Sequence, residues 1–409
     1  MSNNTKPILV IGGGIAGMTA AVEAAEYGCE VILVEQEAYL GGRVVKMNQY
    51  FPKLCPPTCG LEINIQRIRN NKRVTVHTLA KVTKVAGSRG DFTVSIEQQP
   101  RYVKGALTPA HFEAVTSEVD DGFNYDMSKV KALSMAHDQA YPLLAVAYKD
   151  ALTDGEKAAL ADAPIDFDEE AKNFDVNVGA IIVATGWQPY DANKLDLLGY
   201  KDNADVISNV EMERLAARGG PTEGKLLRPS DGKEPAKVAF VQCAGSRDTN
   251  HNGYCSAVCC MGSLKQARYV REKLPEAEVT IFYIDIRVIG RHESFYYDLL
   301  GDEKIKFVKG KVAKVVGGGS AITLTAEDTL GGGIIEQEFD LVVLATGVVP
   351  SKMDIAGLEL QRDHYGFVVN PTERNGIYGV GCALRPTEVS RSVKDATAAA
   401  LHAIQDVRR

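Results

Sequence analysis

The sequence predicts an α/β fold of two parallel-sheet, Rossmann-like halves with a partly helical insertion, and three observations carry that prediction. The opening "PILVIGGGIAG" runs from a buried strand into a glycine turn; the alanine-rich helical stretch "MTAAVEAAEYG" and a second apolar strand "EVILVEQ" complete a βαβ unit. The segments "GAIIVATGWQP" (179–189) and "DLVVLATGVVP" (340–350) then repeat one pattern: an apolar strand, Ala-Thr-Gly, two residues and a proline. Finally, "KVAFVQCAGSRD", "SLKQARYVREKL" and "EVTIFYIDI" give another strand–helix–strand series, so the fold unit occurs twice.

The chain has 409 residues, 45% of them apolar, enough for two or three domains with proper cores. A formal charge of −7 argues against a nucleic-acid binder, which needs a basic surface. The N-terminus "MSNNTKPILV" lacks the basic and apolar regions of a signal peptide, and no apolar run approaches the ~20 residues that span a bilayer. A cytoplasmic protein is expected, reaching a membrane only through a partner. The predicted division is 1–99 as the first part of a dinucleotide domain, 100–172 as an acidic, partly helical insertion, and 173–200 as the first domain continued. A second Rossmann-like domain then spans 201–349, and 350–409 returns to the first. Residues 192–236, rich in glycine and proline, read as a linker at the crossing.

Taken in order, the loop Gly12-Gly13-Gly14-Ile15-Ala16-Gly17 carries G-x-G-x-x-G after a strand and before a helix. There Gly12, Gly14, Ile15, Ala16 and Gly17 can bring backbone against a pyrophosphate at a helix N-terminus. Glu35, 18 residues after Gly17 and followed by Gln36, stands where an adenosine ribose hydroxyl would be. Cys29 reads as a small buried residue. The Gly41-Gly42-Arg43 turn and the Ala184-Thr185-Gly186 strand end together resemble the two-dinucleotide-domain flavoproteins of the disulfide-reductase superfamily, which implies FAD. In that superfamily the C-terminus returns to the flavin. Here "GVGCALRPTEVSRSV" places Cys382 after Gly381 where many relatives have a ribityl-binding aspartate, so contacts there would come from backbone or neighbours. A helix from about Ser392 would aim its N-terminus at the flavin ring. Arg43 reads as a flavin or loop anchor.

Within the insertion, "LTDGEKAALADAP" offers a capping box from Thr153 to Glu156, and "MSKVKALSMAHDQAYPLLAVAYKDAL" predicts one or two further helices broken near Pro142. A partner-contact surface and a family-specific embellishment are both open readings of it.

Four of the eight cysteines, Cys243, Cys255, Cys259 and Cys260, crowd into "CAGSRDTNHNGYCSAVCC". They follow the strand after which the second half of such a protein would carry its own glycine loop, and no G-x-G-x-x-G is present there. Nicotinamide binding thereby loses its main sequence support. Thiolates select iron–sulfur clusters and zinc; the spacing C-x11-C-x3-C-C favours a four-thiolate cluster over a zinc ribbon or a redox dithiol without excluding them. His251 within the loop reads as a solvated histidine, with a ligand or supporting role as the alternative, and Tyr254 lies beside it. Cys55 and Cys59 in "KLCPPTCG" are candidate catalytic residues: a flavin-facing dithiol, partial cluster ligation and plain structural cysteines are all open.

The stretch "CAGSRDTNHNGYCSAVCCMGSLKQA", with "YIDIRVIGRHESFYYDLL" and "GVGCALRPTEVSRSV", resembles the A-type subunit of heterodisulfide reductase over nearly the whole chain. Absence of cysteine from residue 60 to 242 matches the short form, and "YFPKLCPPTCGLEINIQRI" is most similar to the A-type subunit of quinone-interacting membrane-bound oxidoreductases. The resemblance implies one FAD and a [4Fe-4S] cluster held by Cys243, Cys255, Cys259 and Cys260. It also implies partner subunits carrying further iron–sulfur clusters, flavin and haem, a homodimer, and electron transfer between the membrane quinone pool and adenylylsulfate reductase in sulfate reduction. The expected function is therefore that of an electron-transfer oxidoreductase subunit, placed at the inner membrane face. The rivals are an NAD(P)H-dependent disulfide reductase using Cys55 and Cys59, and a non-catalytic scaffold with a zinc site.

Overall fold

The computed structural model describes residues 5–288, 290–318 and 321–408; residues 1–4, the start of the N-terminal segment, lie outside the described residues. The chain forms two compact units, one of Met1–Lys46, Thr58–Trp187 and Pro350–Arg409, the other of Met47–Pro57 and Gln188–Val349. The crossing thus falls at Trp187/Gln188 rather than at 200/201, and residues 47–57 cluster with the second unit rather than with the 1–99 segment.

In the first unit a five-stranded parallel sheet runs in the order Ile377–Gly379, Ala180–Val183, Ile8–Ile11, Val31–Val34, Val74–His77. Ile8 lies opposite both Ala180 and Val31, in register. Its central strands are buried on both faces, as their unbroken apolar runs require. Helix Ile15–Glu26 packs its small buried alanines close to the sheet, and Gly28, at φ +103°, takes the left-handed turn that ends it. A three-stranded antiparallel sheet, Lys172–Val178, Asp91–Gln98, Ala80–Ser88, covers a shared core of Leu9, Val34, Val82, Val94 and Ile181. The C-terminal helix Val389–Val407 is tied down by Asp406, a buried carboxylate that accepts from Arg89 Nε at 2.9 Å and from the Tyr378 hydroxyl.

The insertion departs from its predicted helices. Residues 127–152 form short strands, Lys129–Lys131, Leu133–Ser134 and Val146–Ala147, instead of helices around Pro142. Around Val130 the exposed Lys129 and Lys131 alternate with apolar positions at period two, and proline gives no amide to a helix. The predicted capping box is present in helix Asp154–Ala159, but its carboxylate does more: Glu156 also accepts from the backbone and hydroxyls of Thr116 and Ser117. A separate core of Val103, Val115, Leu133, Ala147, Leu152 and Leu160 fills the insertion. These hydrogen bonds hold the Glu156 carboxyl far below the usual carboxylate range.

In the second unit another five-stranded parallel sheet has the order Val206–Ser208, Leu341–Thr346, Lys237–Ala244, Glu278–Tyr283, Ile305–Lys309. The predicted linker 192–236 therefore contains a sheet strand, followed by helix Asn209–Ala216. Buried Val206 and Ile207 and the S-x-x-E capping box from Ser208 to Glu211 are the local signals that form them. Helix Cys259–Lys273 begins four residues before the predicted Ser263, which places two cysteines in its first turn.

A buried ion pair holds the 47–57 segment to this unit. Lys265 Nζ lies 3.0 Å from Glu213 Oε1, both side chains under a tenth exposed, and also donates to the Gln49 carbonyl at 2.6 Å. Glu213 in turn accepts from the Asn48 amide, Gln266 and the Tyr269 hydroxyl. Every lone pair has a partner, which is the condition under which a buried charge is tolerated; removing one member would cost about 3–5 kcal/mol. Among the described residues no helix is long and apolar enough to cross a membrane.

Candidate functional site

The glycine loop of the first unit shows three distinct reasons for its glycines. At Gly12, φ is +106° and a Cβ would meet the Ala184 carbonyl oxygen at 2.4 Å; at Gly17 a Cβ would strike the Gly12 oxygen at 1.8 Å. Those two serve the turn and the contact of helix with strand. Gly14 is different: its φ of −72° suits any residue, and a Cβ would have only Gly42 Cα near it, at 3.9 Å. A glycine that the protein's own packing does not need, at the start of a helix with unbonded backbone amides, fits a cradle for a diphosphate. Ile15 and Ala16 open that helix.

The Gly41–Gly42 turn closes on this loop. Gly41 bridges to Gly14, its amide donates to the Gly13 carbonyl at 2.9 Å, and both glycines have positive φ. Arg43 donates from Nε to the Trp187 carbonyl at 2.6 Å and from Nη1 to the Tyr125 hydroxyl at 3.2 Å, with its guanidinium over the Trp187 ring. These contacts tie the turn to the Trp187 strand and to Tyr125. Thr185 and Gly186, the latter at φ +68° with open space around it, follow Ala184 at the neighbouring strand end.

Glu35 is buried, accepting from the Gly13 amide at 2.6 Å and the Glu37 amide at 2.8 Å, one bond on each oxygen. Each oxygen keeps a further acceptor site for a ribose hydroxyl. Burial pushes this carboxyl up to about 7, against the opposing pull of those amide hydrogen bonds. Gln36 is exposed. Gly381, at φ +58°, opens a short 3-10 turn in which Cys382 Sγ points to the Thr387 carbonyl at 3.4 Å; burial raises that thiol to about 11. A helix begins just beyond, at Val389.

In the second unit the four crowded cysteines border one small recess, with Ser246, Arg247, Ser256, Ala257, Asp285 and Arg287 around them. Strand Lys237–Ala244 ends in a register shift between Val241 and Ala244. Cys243, Gly245, Arg247 and Ala257 all take positive φ, so the chain turns sharply around the recess. Ser256 Oγ pins the loop, 2.9 Å from Ser246 Oγ and accepting from the Val348 amide at 2.8 Å; a Cβ on Gly347 would meet both hydroxyls. His251 is bonded to the Tyr190 hydroxyl at 2.8 Å rather than simply solvated, and the Tyr254 hydroxyl donates to the Val348 carbonyl at 2.7 Å.

Cys259 and Cys260 occupy the first turn of their helix, where unbonded amides and the helix dipole favour thiolate. Burial works the other way, pushing both thiols up, Cys260 to about 11, and Cys243 with them. A metal that binds as it displaces the proton resolves that opposition. Among the described residues, no three Cys, His, Asp or Glu side chains converge on a single-ion site. Gln242, beside Cys243, has both buried amide atoms without a hydrogen-bond partner among the described residues, polar capacity that a group held at the recess could use.

The other predicted pair is divided. Cys55 belongs to the 47–57 segment of the second unit, its Sγ near the Lys53 carbonyl; Cys59 lies exposed in the first turn of helix Thr58–Asn70 in the first unit. Both are free thiols. Asp285 and Arg287, on the rim of the thiol recess, escaped the sequence reading, although the stretch "YIDIR" that carries them follows the next strand end, where parallel-sheet sites gather.

A family model described as FAD dependent oxidoreductase matches residues 7–244. The chain is 34% identical to the A-type subunit of the ferredoxin/F420H2-dependent CoB-CoM heterodisulfide reductase of Methanosarcina acetivorans, covering 99% of this chain and 53% of that one. It is 38% identical to an A-type iron-sulfur subunit of the CoB-CoM heterodisulfide reductase of Methanopyrus kandleri, covering 98% and 64%. It thus spans between half and two thirds of these relatives' length. Among solved structures, thioredoxin reductases from T. acidophilum and Lactococcus lactis share the fold at TM-scores of 0.57 and 0.56, with 14% and 15% identity; each match covers at least 98% of this chain and 99% of the other.

Proposed function

We propose, from the premise that the chain belongs to the family of FAD-dependent oxidoreductases and has the A-type subunits of heterodisulfide reductases as homologues, that it is an electron-transfer subunit pairing one FAD with one [4Fe-4S] cluster. One observation carries the reading: four thiols ring a recess at the strand end where a second dinucleotide would need glycines. FAD accepts two electrons together and releases them singly, while a cluster passes one at a time, so together they join hydride or quinol chemistry to one-electron transfer. The residues supply the rest. Gly12 and Gly17 shape the turn, Gly14 leaves its open side to the diphosphate, Glu35 receives the ribose, and Cys243, Cys255, Cys259 and Cys260 furnish four soft ligands, two of them on a helix N-terminus. In a four-iron cluster each thiolate binds its own iron, a wider set than one ion would gather.

The finer placement, between a membrane quinone pool and adenylylsulfate reductase with partner subunits at the cytoplasmic face, is supported by the short-form sequence features. Anaerobic purification with quantified metal, sulfide and flavin tests the cofactor reading. The expected result is about four irons and four sulfides per chain, with one FAD. Zinc without flavin absorbance would overturn it. Rapid bleaching of the flavin by NADPH would favour the disulfide-reductase rival.

Glu35 gives a pH dependence. Its carboxyl titrates near 7 in the folded protein against 4.5 in the reference state, so the folded form holds the extra proton between those values and its stability falls as pH rises through that window. A donated ribose hydroxyl favours the ionised form. Binding of FAD by the apoprotein should therefore tighten as pH rises towards about 7 and level off above it, and Glu35→Gln should flatten the profile. Flavin fluorescence titrations across that range would read it directly.

A further inference from the structure

The rim of the thiol recess carries a charge arrangement that the cofactor reading does not require. Asp285 stands between two arginines. Its Oδ1 accepts from Arg247 Nη1 at 2.5 Å, and its Oδ2 from Arg287 Nη2 at 3.3 Å and Nε at 3.4 Å. All three residues border the same recess as the four cysteines. The backbone of this group touches one of the sulfurs as well: Cys260 Sγ lies 3.6 Å from the Asp285 carbonyl. Two guanidinium groups and one carboxylate leave a single positive charge at the mouth. The neighbouring pair, Asp248 and Lys311, cancels itself.

We infer that the Arg247–Asp285–Arg287 bracket sets the reduction potential of the group held by the four cysteines, with Asp285 positioning both arginines while offsetting one of them. The inference rests on the cluster reading above. Reduction adds one negative charge inside the recess, and a cation at its mouth stabilises the reduced form more than the oxidised one. The carboxylate does the opposite. Since both act through the same short path, removing one sign must move the potential one way and removing the other must move it back. Asp285 and Arg287 are each nearly half exposed, so the effect is screened in part and shrinks as salt rises.

The test is a potentiometric titration of the anaerobically purified protein, followed by electron paramagnetic resonance of the reduced cluster. Asp285→Asn should shift the midpoint to more positive potential and Arg287→Gln to more negative, while Arg287→Lys, which keeps the charge and the backbone, stays near the parent value. The differences should narrow at high ionic strength. A role confined to holding the loop would not give shifts of opposite sign. Parent iron, sulfide and FAD contents with unmoved midpoints, or with both midpoints moved in one direction, would overturn the inference and leave the cluster reading standing. A parent protein without iron would overturn both. Loss of iron in Asp285→Asn alone leaves the decision to Arg287→Gln, whose side chain makes its hydrogen bonds to Asp285 on the exposed rim.

Discussion

A Gly14→Ala variant is expected to fold as the parent does and to bind FAD at least about tenfold more weakly, a loss of about 1.4 kcal/mol or more. The two halves of that expectation come from the same geometry. Gly14 sits at φ −72° and ψ −176°, open to any L-residue, and an added methyl has no heavy atom closer than Gly42 Cα at 3.9 Å. The protein itself therefore tolerates alanine. The methyl would instead occupy the side from which a diphosphate approaches the helix N-terminus. Gly12→Ala and Gly17→Ala make the contrast, because their methyl groups would overlap the Ala184 and Gly12 carbonyls; those variants should lose fold and flavin together. Thermal unfolding of the apoproteins beside flavin titrations separates the two classes. Parent affinity in Gly14→Ala would remove the diphosphate from this loop.

What the sequence made legible is what lies close together in the chain. The βαβ units and the G-x-G-x-x-G loop were written in local periodicity, as were the Thr153–Glu156 cap and the thiol-rich replacement for a second glycine loop. Each is specified within about thirty residues, the span over which strand and helix patterns can be read. Long-range pairings escaped. Nothing near Asn48 or Gln49 announces that Glu213 and Lys265 will hold that segment in the second unit, because the reason is a buried charge satisfied by residues more than 150 positions away. The Val206–Ser208 strand hid behind the glycines and prolines that follow it, although its cap motif was readable. In the insertion, apolar residues dense enough to suggest helices are spent on a small irregular core, held by Glu156 gathering Thr116 and Ser117 from some forty residues upstream. The candidate site divides in the same way. The thiols declared themselves by spacing, while Asp285 acquires its place only when the next strand of the sheet carries it to the recess.

Cys259→Ser should be isolated with FAD and without iron. The residue is 8% exposed in the first turn of its helix, its sulfur 3.8 Å from the Thr346 carbonyl, and serine is smaller than cysteine, so the new side chain overlaps nothing. The fold thus has room for the new group. Iron is worse served: a serine hydroxyl is a harder ligand that stays protonated at neutral pH, and a four-iron cluster with one thiolate missing is left open to solvent and loss. The glycine loop, Glu35 and the Gly381 turn belong to the first unit and share no residue with the recess, so flavin content should hold. Iron and sulfide per chain, expected to fall from about four to a small fraction, and the flavin absorbance of the same sample make the comparison. Cys29→Ser supplies the control, since Cys29 is a buried thiol outside the recess whose loss should leave iron at the parent level. If both variants retained full iron, the recess would not be its site. If both lost it, the metal would be responding to general destabilisation; only a loss confined to Cys259→Ser assigns the sulfur to the cluster.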